Sequence, residues 1–528
     1  MKSLMKKVFA AAAAIATVFG LAATTVATAN AADNATLTVS TTDAKFAGKT
    51  VNAYKMFSAT VSGDGKAVSY TLTDEWKPFF KNSVGLTGVT DENVNDKAND
   101  YVSKLKDSTL VAFATKASNW AQTKANNITA DATATVSADA SNGKYTATFT
   151  GLGYGYYVVA VPGATLANAK SQYATLVSVH STKVDADIKG DLPTVDKKVQ
   201  VDGTGKDATD AKIGDTLTFT LTSTIPDMSA YDTYTFNFKD TLSKGLTFGQ
   251  VKSVKVENVT LTENTDYTVT TPTASNNNTL TVAMKDFKTK QQANAGKKIT
   301  VTYTATLNEN AVVGGAGNVN SAKIQYSNNP STNGTGESEP SKVRVFTYGF
   351  TVDKYTGHQY TDAATRLAGA EFTLAHKDGS AISFVQVSAG SATANAVYRV
   401  AKAGETGTTT ITTPANGKVV FEGLKNGEYT LTETEAPAGY NKLASAIGVK
   451  VNGQNNGTDT TNATVTITYN NDNGNDYNQT ASNGVIPVQN KSGAILPGTG
   501  GMGTIAFTVI GVLVIALGVA WTLKRKNA

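Results

Sequence analysis

Short runs in which apolar and hydroxyl-bearing residues alternate, such as Thr216-Leu217-Thr218-Phe219-Thr220 and Ile299-Thr300-Val301-Thr302-Tyr303, recur from Asp33 onward, separated by Gly, Asn and Asp. A period of two sends successive side chains to opposite faces of a strand, so these runs predict antiparallel sheets with one buried face. The expected fold class is therefore mainly β, built from sandwiches. Helical periodicity is confined to Glu75 to Lys124, where segments such as Tyr101 to Asn126 predict helices inserted into a β framework. A disordered Thr/Asn stalk would share this composition, but the recurring aromatic and aliphatic alternation restricts disorder to short linkers.

At 528 residues the chain exceeds what one hydrophobic core organises and predicts three or four domains. Turn-rich stretches at Lys189-Gly190-Asp191-Leu192-Pro193 and from Asn328 to Lys342 place modules at 32–190, 191–343 and 344–495. The chain has no cysteine, which excludes a disulfide scaffold, a cysteine-ligated metal and a thiol nucleophile.

Residues 1–31 have the layout of a secretory signal peptide: Lys2, Lys6 and Lys7, an apolar stretch from Val8 to Leu21, and small residues at Ala29-Asn30-Ala31. Residues 496–528 begin with Leu496-Pro497-Gly498-Thr499-Gly500, continue through an uncharged, mostly apolar run from Thr504 to Leu523, and end on Lys524, Arg525 and Lys526. That run is long enough for a transmembrane helix of about 20 residues, with the basic tail held in the cytoplasm. Removing three basic residues at each end takes Lys plus Arg from 47 to 41 against 42 acidic residues, a net charge of about −1. The basic excess thus lies in the terminal segments, and nothing favours nucleic acid, which needs a clustered basic face.

Three polar groups line up with apolar rows in the middle module. Val195, Lys197 and Val199 share one strand face; Tyr234, Phe236, Phe238 and Asp240 share another; Ala322, Ile324, Tyr326 and Asn328 a third. The last module repeats the arrangement with Phe350, Val352 and Lys354, with Tyr429, Leu431 and Glu433, and with Ile486, Val488 and Asn490. Burial disfavours charge on both an amine and a carboxyl, so a neutral amine and a protonated acid coexist in an apolar core. The amine is then a nucleophile, and the acid (Asp240 or Glu433) polarises the Asn carbonyl; the products are a Lys–Asn amide and ammonia. For any one triplet, a solvated strand-end charge or a buried salt bridge is the simpler reading, and the repetition favours the amide. Lys198, Asn329 and Glu435 are the nearest misassignments, and alternation decides against Lys198 and Asn329.

The segments TVDKKV, FKDTLSKGLTF, AKIQYSNNP, FTVDKYTG, GAEFTL, YTLTETEAPAGY and VQNKSGAILPGTG resemble the backbone (major) subunits of sortase-assembled Gram-positive pili, and FTGLGYGYYVVAVPGA does so loosely in the first module. The pentapeptide, apolar span and basic tail resemble an LPXTG-type cell-wall sorting signal. The resemblance implies immunoglobulin-like sandwiches, of collagen-adhesin A type in the middle module and B type in the last. It implies self-formed isopeptide bonds Lys197–Asn328 and Lys354–Asn490, promoted by Asp240 and Glu433, and sortase cleavage between Thr499 and Gly500. The acceptor lysine of the family motif corresponds to Lys189, although Asp187, Ile188 and Gly190 replace the motif's Tyr, Pro and Asn; a plain linker lysine is nearly as good a reading, and Lys183 is the next candidate.

The partners implied are pilin-specific and housekeeping sortases, neighbouring subunits in a covalent homopolymer, peptidoglycan, a tip adhesin and host ligands, at a cell-wall, fimbrial location. The expected function is a major pilin shaft subunit supporting adhesion; the alternatives are a monomeric wall-anchored adhesin and, further off, a surface glycosidase with paired carboxylates. No cofactor and no metal are expected: His180, His358 and His376 match no ligand spacing, and the Asn470–Asp476 run reads as turn chemistry. Apart from single-turnover amide formation, no enzyme activity is expected.

Overall fold

The computed structural model describes residues 34–493, except 63–66, 165–173, 189, 329–333, 358–359, 362–363, 455–462 and 471–476, and beyond them only Val512, Val514, Ile515 and Leu517. The expected signal peptide, Lys189 and the pentapeptide Leu496 to Gly500 lie outside the described residues. So does almost all of the expected membrane span; among the described residues no helix is long and apolar enough to cross a membrane.

The chain divides into two compact units, one of residues 1–347 with 453–464, the other of 348–452 with 465–528. The first unit contains four sheets. A three-stranded and a five-stranded sheet lie between Ala35 and Asp187, and a six-stranded and a seven-stranded sheet between Asp196 and Phe346. Among the described residues no ladder joins the two pairs, yet one hydrophobic cluster contains Leu37, Phe149 and Val179 together with Phe219, Phe238 and Tyr303. The strand Ser341–Phe346 pairs with Asn318–Ser327, so residues 344–346 belong to the middle sandwich and the boundary expected after 343 falls after Thr347.

Three helices interrupt the first module, Lys77–Asn82, Val94–Ser103 and Asp107–Gln122, in the stretch where helical periodicity occurs. They bury Trp76, Phe79, Phe80 and Phe113 against Met56, Phe57 and Val158 of the five-stranded sheet. Alternation is cleanest in the middle sandwich. In Lys298–Leu307 every second residue, from Ile299 to Leu307, is buried, and Asn318–Ser327 repeats the pattern. Such strands expose Thr, Lys and Gln outward and stack aromatic and aliphatic side chains between the sheets. The second unit is a sandwich of two six-stranded sheets.

Candidate functional site

Lys197 lies on Asp196–Val201, where it pairs with Leu221, and so faces the same interior as Val199, Phe219, Leu221 and Tyr303. The lysine is completely buried, as are Asp240, Tyr303 and Asn320. Asp240 reaches it from the facing sheet, on Phe236–Leu242, and its Oδ2 accepts a hydrogen bond from Lys197 Nζ. Tyr303 stands between all of them. Its hydroxyl accepts from Lys197 Nζ at 2.8 Å and from Asn320 Nδ2 at 2.6 Å, and donates to Asp240 Oδ2 at 2.6 Å. Asp240 Oδ1 and Asn320 Oδ1 have no hydrogen-bond partner among the described residues.

Enclosure decides the electrostatics. Burial lowers the Lys197 pKa from 10.5 to about 8, opposed by Asp240, because an ammonium loses its hydration there. Burial, reinforced by the Asp240 carboxylate, holds the Tyr303 phenol well above its ordinary value, so it keeps its proton. Lys197 Nζ also lies 5.1 Å from the ring centroids of both Phe219 and Tyr303, whose faces favour the cation.

Asn328 is not the carboxamide of this site. It follows the end of Asn318–Ser327, is half-buried, and lies beside Gly336. Asp240 pairs with Ala322, so Asn328 lies six residues further along, roughly 20 Å at strand rise. Asn320, opposite Leu242, is the neighbour. Asn318, Asn320 and Asn328 all share one parity, and alternation cannot choose among them. Lys198 points outward to Asp207, at 2.6 Å, and Asp196, at 3.3 Å.

In the second unit the three expected residues meet. Lys354 Nζ is 2.8 Å from Glu433 Oε1, and Asn490 Nδ2 donates to Glu433 Oε2 at 3.0 Å. Glu433 Oε2 also accepts from the Leu443 backbone N–H at 2.8 Å, and Asn490 Nδ2 donates to the Asn441 carbonyl at 2.8 Å, which fixes both side chains. None of the three is more than 2% exposed. Burial lowers the Lys354 pKa, opposed by its contact with Glu433. Backbone packs tightly behind it: Gly417, at φ +70°, leaves no room for a Cβ, which would lie 2.5 Å from the Lys354 carbonyl oxygen. Glu435 is exposed.

Among the described residues the first module has no such constellation. Ser118 and Gln122 are its only buried polar residues among those described, and no buried lysine faces an acid there. Lys183 is exposed at the start of the strand Lys183–Asp187. No group of three His, Asp or Glu among the described residues could hold a metal.

Residues 213–330 match the family model of the Gram-positive pilin backbone subunit 2, Cna-B-like domain, and residues 357–466 that of the SpaA prealbumin-like fold domain. The middle sandwich therefore carries a B-like description where the A type was implied. The trypsin-resistant surface T6 protein of Streptococcus pyogenes serotype M6 is 25% identical over 279 residues, which cover 48% of this chain and 44% of that one. The chain thus spans less than half the length of this relative in the match. Among solved structures, the T6 backbone pilin of serotype M6 Streptococcus pyogenes aligns with TM-score 0.45 and 20% identity over 80% of this chain and 83% of that one. The major pilin SpaD of Corynebacterium diphtheriae aligns with TM-score 0.38 and 21% identity over 79% and 90%. The middle sandwich is thus similar to a domain of Gram-positive pilin backbone subunits, and the second unit to the SpaA prealbumin-like fold domain.

Proposed function

We propose that this chain is a major pilin shaft subunit whose last two sandwiches are each closed by a self-formed Lys–Asn amide, Lys197 to Asn320 in the middle and Lys354 to Asn490 in the last. The observation that carries this reading is that both sandwiches enclose an amine, a carboxyl and a carboxamide together, none of the residues being more than 2% exposed. A buried ion pair is a poor way to stabilise a core, since desolvation offsets most of its attraction. A reactive trio has a different reason to be there. Asp240 and Glu433 are placed to take the ammonium proton, leaving a neutral amine beside a carboxamide carbon, and ammonia is the leaving group.

Each amide closes a loop of roughly 125 to 135 residues, and restricting the unfolded chain in that way contributes on the order of 5 kcal/mol. Unlike a disulfide it resists reduction, which fits a chain without cysteine. The name of the relative from Streptococcus pyogenes records trypsin resistance, and two covalent closures would confer the same here. In this reading a pilin-specific sortase holds the subunit as an acyl-enzyme at Thr499, and Lys189 of the next subunit attacks; a housekeeping sortase then transfers the finished shaft to peptidoglycan.

Intact-mass measurement of the full chain tests the amides: two bonds remove two ammonias, about 34 Da, and an unshifted mass overturns them. Denaturing electrophoresis of wall extracts tests the shaft. A high-mass ladder that disappears with Lys189→Ala is expected, whereas a single band in the unmodified strain would leave a monomeric anchored adhesin.

A further inference from the structure

Amide formation must move two protons, and the two sandwiches differ in how the acid reaches the leaving nitrogen. In the last sandwich Glu433 Oε2 accepts directly from Asn490 Nδ2. In the middle one no hydrogen bond joins Asp240 to Asn320; the Tyr303 hydroxyl touches Lys197 Nζ, Asp240 Oδ2 and Asn320 Nδ2 at once. We propose that Tyr303 is a catalytic proton relay in the middle sandwich, passing the proton released by the attacking Lys197 amine to the departing Asn320 nitrogen. This rests on the amide-forming reading above and assigns it a residue that the last sandwich does without.

The Lys197 ammonium passes one proton to the Asp240 carboxylate, and the freed lone pair forms the Nζ–Cγ bond while the carbonyl π pair moves to Asn320 Oδ1. The new bond leaves Nζ positively charged. It gives its second proton to the Tyr303 oxygen as the phenol hydrogen passes to Nδ2. The pair on Oδ1 then restores the carbonyl, the Cγ–Nδ2 bond breaks with its electrons on nitrogen, and ammonia departs. Tyr303 ends as it began, and Asp240 keeps the first proton. No ion and no oxidant is required.

The ring is held for this task. It stacks on Phe219 at 5.3 Å with an 18° tilt and lies 6.1 Å from Phe248, so the hydroxyl is carried by a rigid plate rather than a mobile stem. Its strand neighbours Val301 and Ala305 are fully buried on the same face.

The test is a time course of intact mass after cell-free synthesis of the full chain, with the last sandwich as internal reference. In the Tyr303→Phe protein the Lys354–Asn490 ammonia should leave at the wild-type rate and the Lys197–Asn320 ammonia about 100-fold more slowly. Loss of both at wild-type rates overturns the relay while leaving the amides intact; a wild-type chain that never loses ammonia overturns both. Should Tyr303→Phe fail to fold, trifluorotyrosine placed at 303 keeps the ring and the hydroxyl and makes that hydroxyl more acidic. A changed rate with a pH profile moved to lower pH supports the relay, and a rate and profile equal to wild type overturn it, because a purely packing role would not respond to phenol acidity.

Discussion

The middle and last sandwiches bury the same three kinds of group, an amine, a carboxyl and a carboxamide, in two topologies. In the middle one, Lys197 is on the six-stranded sheet while Asp240 and Asn320 are on the facing seven-stranded sheet, so an amide would staple sheet to sheet. In the last one, the strand of Lys354 runs parallel to Val485–Gln489, Lys354 pairs with Val488, and Asn490 follows at once. An amide there would join neighbouring strands of one sheet, with Glu433 reaching in from the other. Position along the chain differs as well. The Lys354–Asn490 closure sits at the two ends of its sandwich, but the middle sandwich continues past Asn320 through Ser341–Phe346. Tension entering at Asp196 and leaving at Phe346 would therefore cross the amide and then a stretch held only by hydrogen bonds and the packing of Val343, Val345 and Phe346.

Pulling experiments should separate the two most widely. With both amides in place, the last sandwich should not lengthen before covalent rupture, whereas the middle one should release residues 321–346, roughly 90 Å when fully extended. A middle sandwich as inextensible as the last would show that the Ser341–Phe346 ladder bears load as a covalent bond does.

Removing the acids comes next in size. Asp240→Ala deletes the proton acceptor and strands Lys197 in a dry core, so the chain should lose only one ammonia and the middle sandwich should fall by on the order of 5 kcal/mol or more, from the lost closure and the unpaired charge together. Glu433→Ala should do the same to the last sandwich alone. Mass and calorimetry on each variant check the assignment; two ammonias lost from either protein would remove the acids from the chemistry.

The asparagine beside Asp240 and Tyr303 shows how far alternation alone reaches. Alternation placed Lys197, Asp240, Lys354, Glu433 and Asn490 on inward faces, because a period of two decides the face of every residue in a strand once one neighbour is known to be buried. It does not decide how far along a strand two sheets bring their residues together. Asn318, Asn320 and Asn328 are equivalent to it, and only the pairing of Asp240 with Ala322 and Leu242 with Asn320 separates them. In the last module a single inward Asn follows the strand, so no such choice arose. Tyr303 was invisible for a related reason: in Ile299 to Tyr303 it reads as one more aromatic core residue, and its hydroxyl becomes informative only when the facing sheet supplies partners. Asn320→Ala should accordingly cost the middle sandwich its ammonia loss and about 5 kcal/mol, while the Asn328→Ala chain should still lose two ammonias; the reverse result would restore Asn328 as the reacting carboxamide.

The uncrosslinked Asn320→Ala protein also sharpens the electrostatic side. Its Lys197 remains a free amine with a pKa depressed to about 8 in the folded chain against 10.5 when solvated. Between those values the unfolded state binds more protons than the folded one, so stability rises with pH through that window and is lost as pH falls to 8. In the crosslinked protein the nitrogen is an amide and makes no such contribution. The difference in melting temperature between the two proteins should narrow from pH 8 to pH 10, and a constant difference would mean that the amine is solvated before reaction.

The smallest expected effect belongs to the lysine one residue away. Lys198 makes its two ion pairs with Asp207 and Asp196 on the outer face, where all three side chains are about a third or more exposed. Water and salt screen such pairs, and ordering a long side chain offsets much of what remains, so Lys198→Ala should change stability by about 0.5 kcal/mol or less. It should leave both ammonia losses in place, because its amine points away from the core that would keep it neutral. Lys197 and Lys198 are adjacent residues of one chemical type, and only the pleat of the strand sends the first into the dry interior and the second toward solvent.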